Sequence, residues 1–190
     1  MPKIILFFLF VLSSLPLFAQ QKYEREIRLD PVAVPESART YIDAFDFDGK
    51  VKWYKEIGLD TFSIEAKTKH DGTRYSIEFN PEGKLEDVEI QTEMSDIIAD
   101  TRCNIVEHFR ATYERFHIDK VQVQYTGAPQ AILDYLQKKG AHPDVIVNYE
   151  IVMNAKPEKS YKRYEFLFSE SGVFLQKKEI VLKNLNNIQY

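Results

Sequence analysis

The sequence predicts an α+β fold: a helix followed by four antiparallel strands, used twice, with the helices packed on one face of the sheet. Three observations predict it. Runs such as "TFSIEAK" and "RYSIEF" alternate apolar and polar side chains with the period of a half-buried strand. Two segments, "ESARTYIDAF" and "DIIADTRCNIVEHFRATYERF", carry helical apolar stripes ahead of such runs. Finally, "RYSIEFNPEG" from Arg74 and "RYEFLFSESG" from Arg163 align without gaps at an offset of 89 residues, sharing Arg, Tyr, Phe and Gly.

The chain starts "MPKIILFFLFVLSSLPLFAQ": one lysine, an apolar run from Ile4 to Leu12, a Ser-Ser-Leu-Pro break and Ala19. This is the layout of a secretory signal peptide over residues 1–19, too short in its apolar part to span a bilayer. Its removal leaves about 170 residues, expected in the periplasm or outside the cell, with no membrane span. The whole chain has 25 Lys and Arg against 29 Asp and Glu, a formal charge of −4; loss of Lys3 makes it −5. No basic field suited to nucleic acid remains.

After the signal, "KYEREIRL" reads as a short strand with Tyr23, Ile27 and Leu29 in rough alternation. Pro35 can open a helix without losing a needed amide hydrogen, and Ala38, Tyr41, Ile42 and Phe45 form its stripe. Four strands follow: "VKWYKEIG", "TFSIEAK", "RYSIEF" and "LEDVEIQTE", with "HDG" at 70–72 as a hairpin turn and "NPEG" as the next. The second half opens with a helix expected to place Ile98, Ile105, Phe109 and Phe116 on one face. Then come "DKVQVQYTG", a short helix inserted near 128–140 in "APQAILDYLQKKG", and three strands, "DVIVNYEIVMN", "KRYEFLF" and "VFLQKKEIVL". The expected units are therefore 20–95 and a divergent second copy over 96–190. Each strand has one apolar and one polar face, so one side of the sheet is expected covered and the other wet.

The stretch "VPESARTYIDAF" followed by "VKWYKEIGLDTFSIEAKT" and "RYSIEFNPEGKLEDVEI" resembles the PepSY-like repeats of exported Bacteroidetes proteins, over residues 34–92. Tandem pairs of such units resemble the beta-lactamase-inhibitor fold, in which two helix-plus-four-strand repeats form a sheet whose polar face grips a partner. The resemblance implies an exported, non-enzymatic binding or inhibitory module with a protein partner in the cell envelope.

The chemistry-bearing residues are few. In "DAFDFDGK" a calcium loop with Gly49 at its sixth position would need ligands at Ala44 and Lys55, so Asp46, Asp48 and Gly49 read as a turn, with Gly49 at positive φ. His70, His108, His117 and His142 have no metal-ligand spacing, and no nucleophile or nucleotide signature occurs. Cys103 is the single cysteine, expected partly buried on the second helix, so no intramolecular disulfide forms. No catalytic residue, metal or cofactor is expected. If adjacent strands pair in hairpin register, Tyr54, Glu56, Ser63, Glu65, Lys67, Ser76, Glu78 and Glu89 share one open face, the expected partner-binding face. The alternative is a periplasmic protein that binds a small ligand or a cation.

Overall fold

The computed structural model describes residues 20–58, 61–140, 143–157 and 160–182; the expected signal peptide and His142 lie outside them. Along the described chain run β1 (Gln20–Glu24), β2 (Glu26–Leu29), α1 (Glu36–Asp43), β3 (Lys52–Ile57), β4 (Phe62–His70), β5 (Thr73–Phe79) and β6 (Leu85–Thr92). They are followed by α2 (Ala99–Thr112), β7 (Phe116–Thr126), α3 (Pro129–Leu136), β8 (Ile146–Ala155), β9 (Lys162–Ser169) and β10 (Phe174–Leu182). The fold is α+β: one ten-stranded sheet in the order β1-β10-β9-β8-β7-β6-β5-β4-β3-β2. Every pairing is antiparallel except that of β1 with β10. A helix precedes four strands twice, and the pairing of β6 with β7 makes the two sets one sheet.

Helices α1 and α2 each cover an apolar cluster on the same face. Ala38 and Ile42 of α1 pack with Trp53, Ile64, Ile77 and Phe79; Ile105 and Phe109 of α2 pack with Ile151, Tyr164, Phe166 and Phe168. The stripe expected for the second helix needs two corrections. Ile98 is 71% exposed and Ile97, at 3%, is the buried residue, because Ile98 precedes the first helical turn in an extended conformation where neighbours point to opposite sides. Phe116 lies in β7 and meets Phe109 from the sheet, ring centroids 5.4 Å apart. Cys103, expected partly buried, is exposed on the outer side of α2.

The inserted α3 docks against the first half of the chain. Its Ile132 joins the cluster beneath α1, Tyr41 donates a hydrogen bond to the Pro129 carbonyl (3.0 Å), and Gln137 donates to that of Ala44 (3.0 Å).

The two aligned "G" turns are built alike. Gly83 and Gly172 both have φ of +80°, and both amides bond back three residues, to Asn80 and Ser169. Ser37 of α1 donates to the Gly83 carbonyl (3.0 Å), and Thr101 of α2 donates to that of Glu170 (3.0 Å). Each turn is thereby tied to the first turn of the helix lying over it. In "DAFDFDGK" the positive φ expected at Gly49 is found instead at Asp46 (φ 54°). Gly49 is needed for space, since a Cβ there would run into the Lys69 carbonyl.

The open wet face does not occur. β1 and β2 lie at opposite ends of the strand order yet only Arg25 separates them, so the two edges of the sheet meet. Lys22 on β1 reaches Glu56 on β3 at 3.8 Å, and the Ile57 amide bonds to the Arg25 carbonyl. Twist accumulated over ten strands curls the sheet, and this N-terminal strap holds it closed. The polar face turns inward, leaving Glu150 and Glu165 each only 5% exposed.

Candidate functional site

The eight residues expected on one face do share it. Strand register sets Tyr54 opposite Glu65, Glu56 opposite Ser63, Glu65 opposite Glu78, Lys67 opposite Ser76, and Ser76 opposite Glu89. Glu65 is buried and the other seven are half-buried, so this is the wall of a concavity and not a flat platform.

Most carboxylates on that wall are engaged within the protein. Ser63 donates to Glu78 (2.6 Å) and Ser76 to Glu65. Lys67 bridges Glu26 (2.5 Å) and Glu65 (3.0 Å). Glu26, Glu56 and Glu65 bring carboxylate oxygens within 4.8 Å of one another, but the Lys67 and Lys22 ammonium groups already answer that charge.

Deeper along the face, burial decides protonation. Burial, reinforced by Glu78 and Glu150, holds the Asp87 carboxyl well above the usual carboxylate range; Gln124 donates to one of its oxygens and the other has no hydrogen-bond partner. Burial and the neighbouring Glu150 and Asp87, with a side-chain hydrogen bond to Glu150, likewise raise Glu89. Glu150 is raised by burial and Glu165, against the pull of Lys22 and Lys120. Burial also acts upward on Glu165, but Lys22 (2.7 Å) and Lys178 (3.2 Å) outweigh it and hold it low. The signs give a pH prediction. Raised carboxyls stabilise the fold fully below their unfolded pKa of about 4 and lose that stabilisation as pH rises through the folded values. Glu165 contributes above that range and loses its share as pH falls through its depressed value. Between neutrality and about pH 5 the three buried carboxyls, joined by the more exposed Glu86, act in this direction and His108, lowered by burial, acts against them, while Glu165 acts only at lower pH. Stability is expected to rise as pH is lowered over that interval, measured as the urea midpoint. A flat or falling midpoint over that interval would show the three carboxyls to be ionised.

The remaining titratable groups outline little chemistry. The exposed Cys103 thiol donates to Glu107, which pushes its pKa up and keeps it a thiol. His108 is stacked on Phe174 at 4.6 Å, and burial lowers its pKa. His70 lies 3.2 Å from Asp48 at a hairpin end.

One end of the concave face opens into a cavity of about 590 Å³. Tyr54, Glu65, Lys67 and Ser76, four of the eight expected residues, line it. So do cations that sequence reasoning passed over: Lys52, Lys69, Arg74 and Lys120. A sequence signal for two of them existed. The two-residue turn Asp71-Gly72, with both residues at positive φ, pins His70 opposite Thr73 and therefore Lys69 opposite Arg74.

Among the described residues, no helix is long and apolar enough to cross a membrane. No protein-family model matches the chain, and no curated protein does. Solved structures do. A DUF2874-family protein of Bacteroides ovatus is 13% identical, with a TM-score of 0.50 over 77% of this chain and 87% of its own. A candidate periplasmic protein of Bacteroides eggerthii is 14% identical, with a TM-score of 0.47 over 77% and 88%. A BLIP-like protein of Bacteroides fragilis is 16% identical, with a TM-score of 0.44 over 82% and 92%. The chain thus shares its fold, at low identity, with the DUF2874-family protein.

Proposed function

We propose that this chain is an exported, non-enzymatic binding module that holds another envelope or secreted protein at the open end of its polar sheet face. The observation that carries the reading is the 590 Å³ cavity on that face, lined by Tyr54, Lys67 and Ser76. Export rests on the signal-peptide pattern of residues 1–19. A non-enzymatic role is supported by the engagement of the carboxylates in internal ion pairs and hydrogen bonds, and by a thiol that is held protonated. Tyr54 has the amphipathic shape common at interface anchors, and Lys67 lies 5.3 Å from its ring centroid.

The test is affinity capture from envelope extracts with the mature chain as bait and Tyr54→Ala as control. The side chain is half-buried at the mouth, so its loss is expected to leave the fold intact and weaken capture at least tenfold, as for an interface anchor. Equal capture by both baits would remove Tyr54 from the interface. Capture of nothing by a folded bait would sink the reading. Small-ligand binding is the second reading, favoured by a cavity volume in the range that ligand sites occupy. It predicts a rise in thermal midpoint with a member of a ligand panel, since binding to the native state alone stabilises it.

A further inference from the structure

We infer that the cavity at the end of the sheet is an anion site that takes an acidic, extended segment of the protein partner, one with carboxylates on alternate residues. This rests on the binding-module reading above and specifies its chemistry.

The chain as a whole is acidic, with a formal charge of −4, yet the cavity reverses that sign. Lys50, Lys52, Lys67, Lys69, Arg74 and Lys120 line it against the single carboxylate of Glu65. Two of the six are committed internally, Lys67 to Glu26 and Glu65, and Lys120 to Glu150 at 3.6 Å. Lys50, Lys52, Lys69 and Arg74 are exposed and show no ion pair among the described residues.

The strand register sharpens the point. Lys52 stands directly opposite Lys67 between β3 and β4, and Lys69 directly opposite Arg74 between β4 and β5. Like charges facing each other across a sheet oppose folding. Lys67 is already answered by Glu26 and Glu65, so the unanswered charge is Lys52 on the first rung and the Lys69–Arg74 pair on the second, and the fold gains when an anion lies against them. The two rungs are two residues apart along β4, a separation of about 7 Å. Carboxylates at alternate positions of an extended peptide have the same repeat, so such a segment lying along β4 meets one rung with each acid. The free cations are all at exposed lysine and arginine tips, which suits the rim of a macromolecular contact better than an enclosed small-molecule site. Tyr54 on the same wall supplies a hydroxyl to the segment's remaining polar groups.

The probes are a fluorescein-labelled peptide of alternating aspartate and serine, its asparagine counterpart, citrate and inorganic phosphate. The wild-type mature chain is expected to bind the aspartate peptide, with affinity falling as sodium chloride is raised, and to bind the asparagine peptide at least tenfold more weakly. Arg74→Glu turns a like-charge rung into a Lys69 ion pair. It is expected to raise the thermal midpoint by about 2 °C while weakening the aspartate peptide at least tenfold, a combination that a purely structural Arg74 would not produce. No binding of the aspartate peptide overturns the proposal, as does binding of citrate or phosphate as tight as that of the peptide. A lowered midpoint in Arg74→Glu overturns the premise that the rung is unfavourable, and the proposal with it. If a partner captured by the wild-type chain is captured equally by Arg74→Glu but lost with Tyr54→Ala, the binding-module reading stands and the acidic-segment proposal falls.

Discussion

Replacing Lys22 by methionine is expected to destabilise the folded chain by about 3 kcal/mol at neutral pH, the lower end of the range for breaking a buried ion pair. The ammonium group lies 2.7 Å from Glu165, which is almost wholly buried, and 3.8 Å from Glu56 on β3, next to the opposite edge of the sheet. Methionine preserves the apolar stem, so the loss is one of charge. It leaves Glu165 with Lys178 alone, at 3.2 Å, which is why the lower end applies. It also removes the cation that helps Glu150 carry charge. The deficit should shrink as pH falls, because Glu150, already raised, becomes neutral and no longer needs the lysine. Urea unfolding of both proteins at neutral pH and near pH 5 separates the two accounts. A gap that stays constant across that range would mean that Lys22 acts through packing.

The second large effect is expected at Gly172. Substitution by alanine should cost about 3 kcal/mol, combining a left-handed backbone penalty of about 1–2 kcal/mol with the cost of overpacking. Its φ is +80°, and a Cβ would come within 2.6 Å of the Thr101 carbonyl, backbone that cannot swing aside without moving the start of α2. Gly83, at the matching turn, would meet the Ser37 hydroxyl at 2.5 Å and the Pro35 ring at 2.6 Å. The Ser37 hydroxyl can rotate aside, but the Pro35 Cβ belongs to a ring fixed to the backbone, so Gly83→Ala is expected to cost about as much. Gly72 has nearly the same φ, +79°, but nothing within 4 Å of an added Cβ. It isolates the backbone contribution, about 1 kcal/mol. Equal urea midpoints for Gly72→Ala and Gly172→Ala would remove the steric part of the argument.

Both predictions separate what local pattern carries from what it does not. Strand alternation in "TFSIEAK" and "RYSIEF" is a period-two property of neighbouring residues, and it placed Tyr54, Glu65, Lys67 and Ser76 on one face correctly. The Asp71-Gly72 turn fixes register over two strands for the same reason, and it would have exposed the Lys69 and Arg74 rung had the charges been followed along it. Ile97 and Ile98 show the limit of periodicity: which one faces inward depends on where the helix begins, one residue deciding between two phases.

What the sequence determines by itself is therefore the set of elements: a helix ahead of four strands, twice, with their turns and the shared polar face. The tertiary structure alone decided that the face curls inward, that Lys22 closes it against Glu56 and Glu165, and that Ile132 of α3 seals the cluster under α1. The physical reason is range. Element identity is written in spacings of two to four residues, whereas the curl sums small twists over ten strands and brings together residues more than a hundred positions apart.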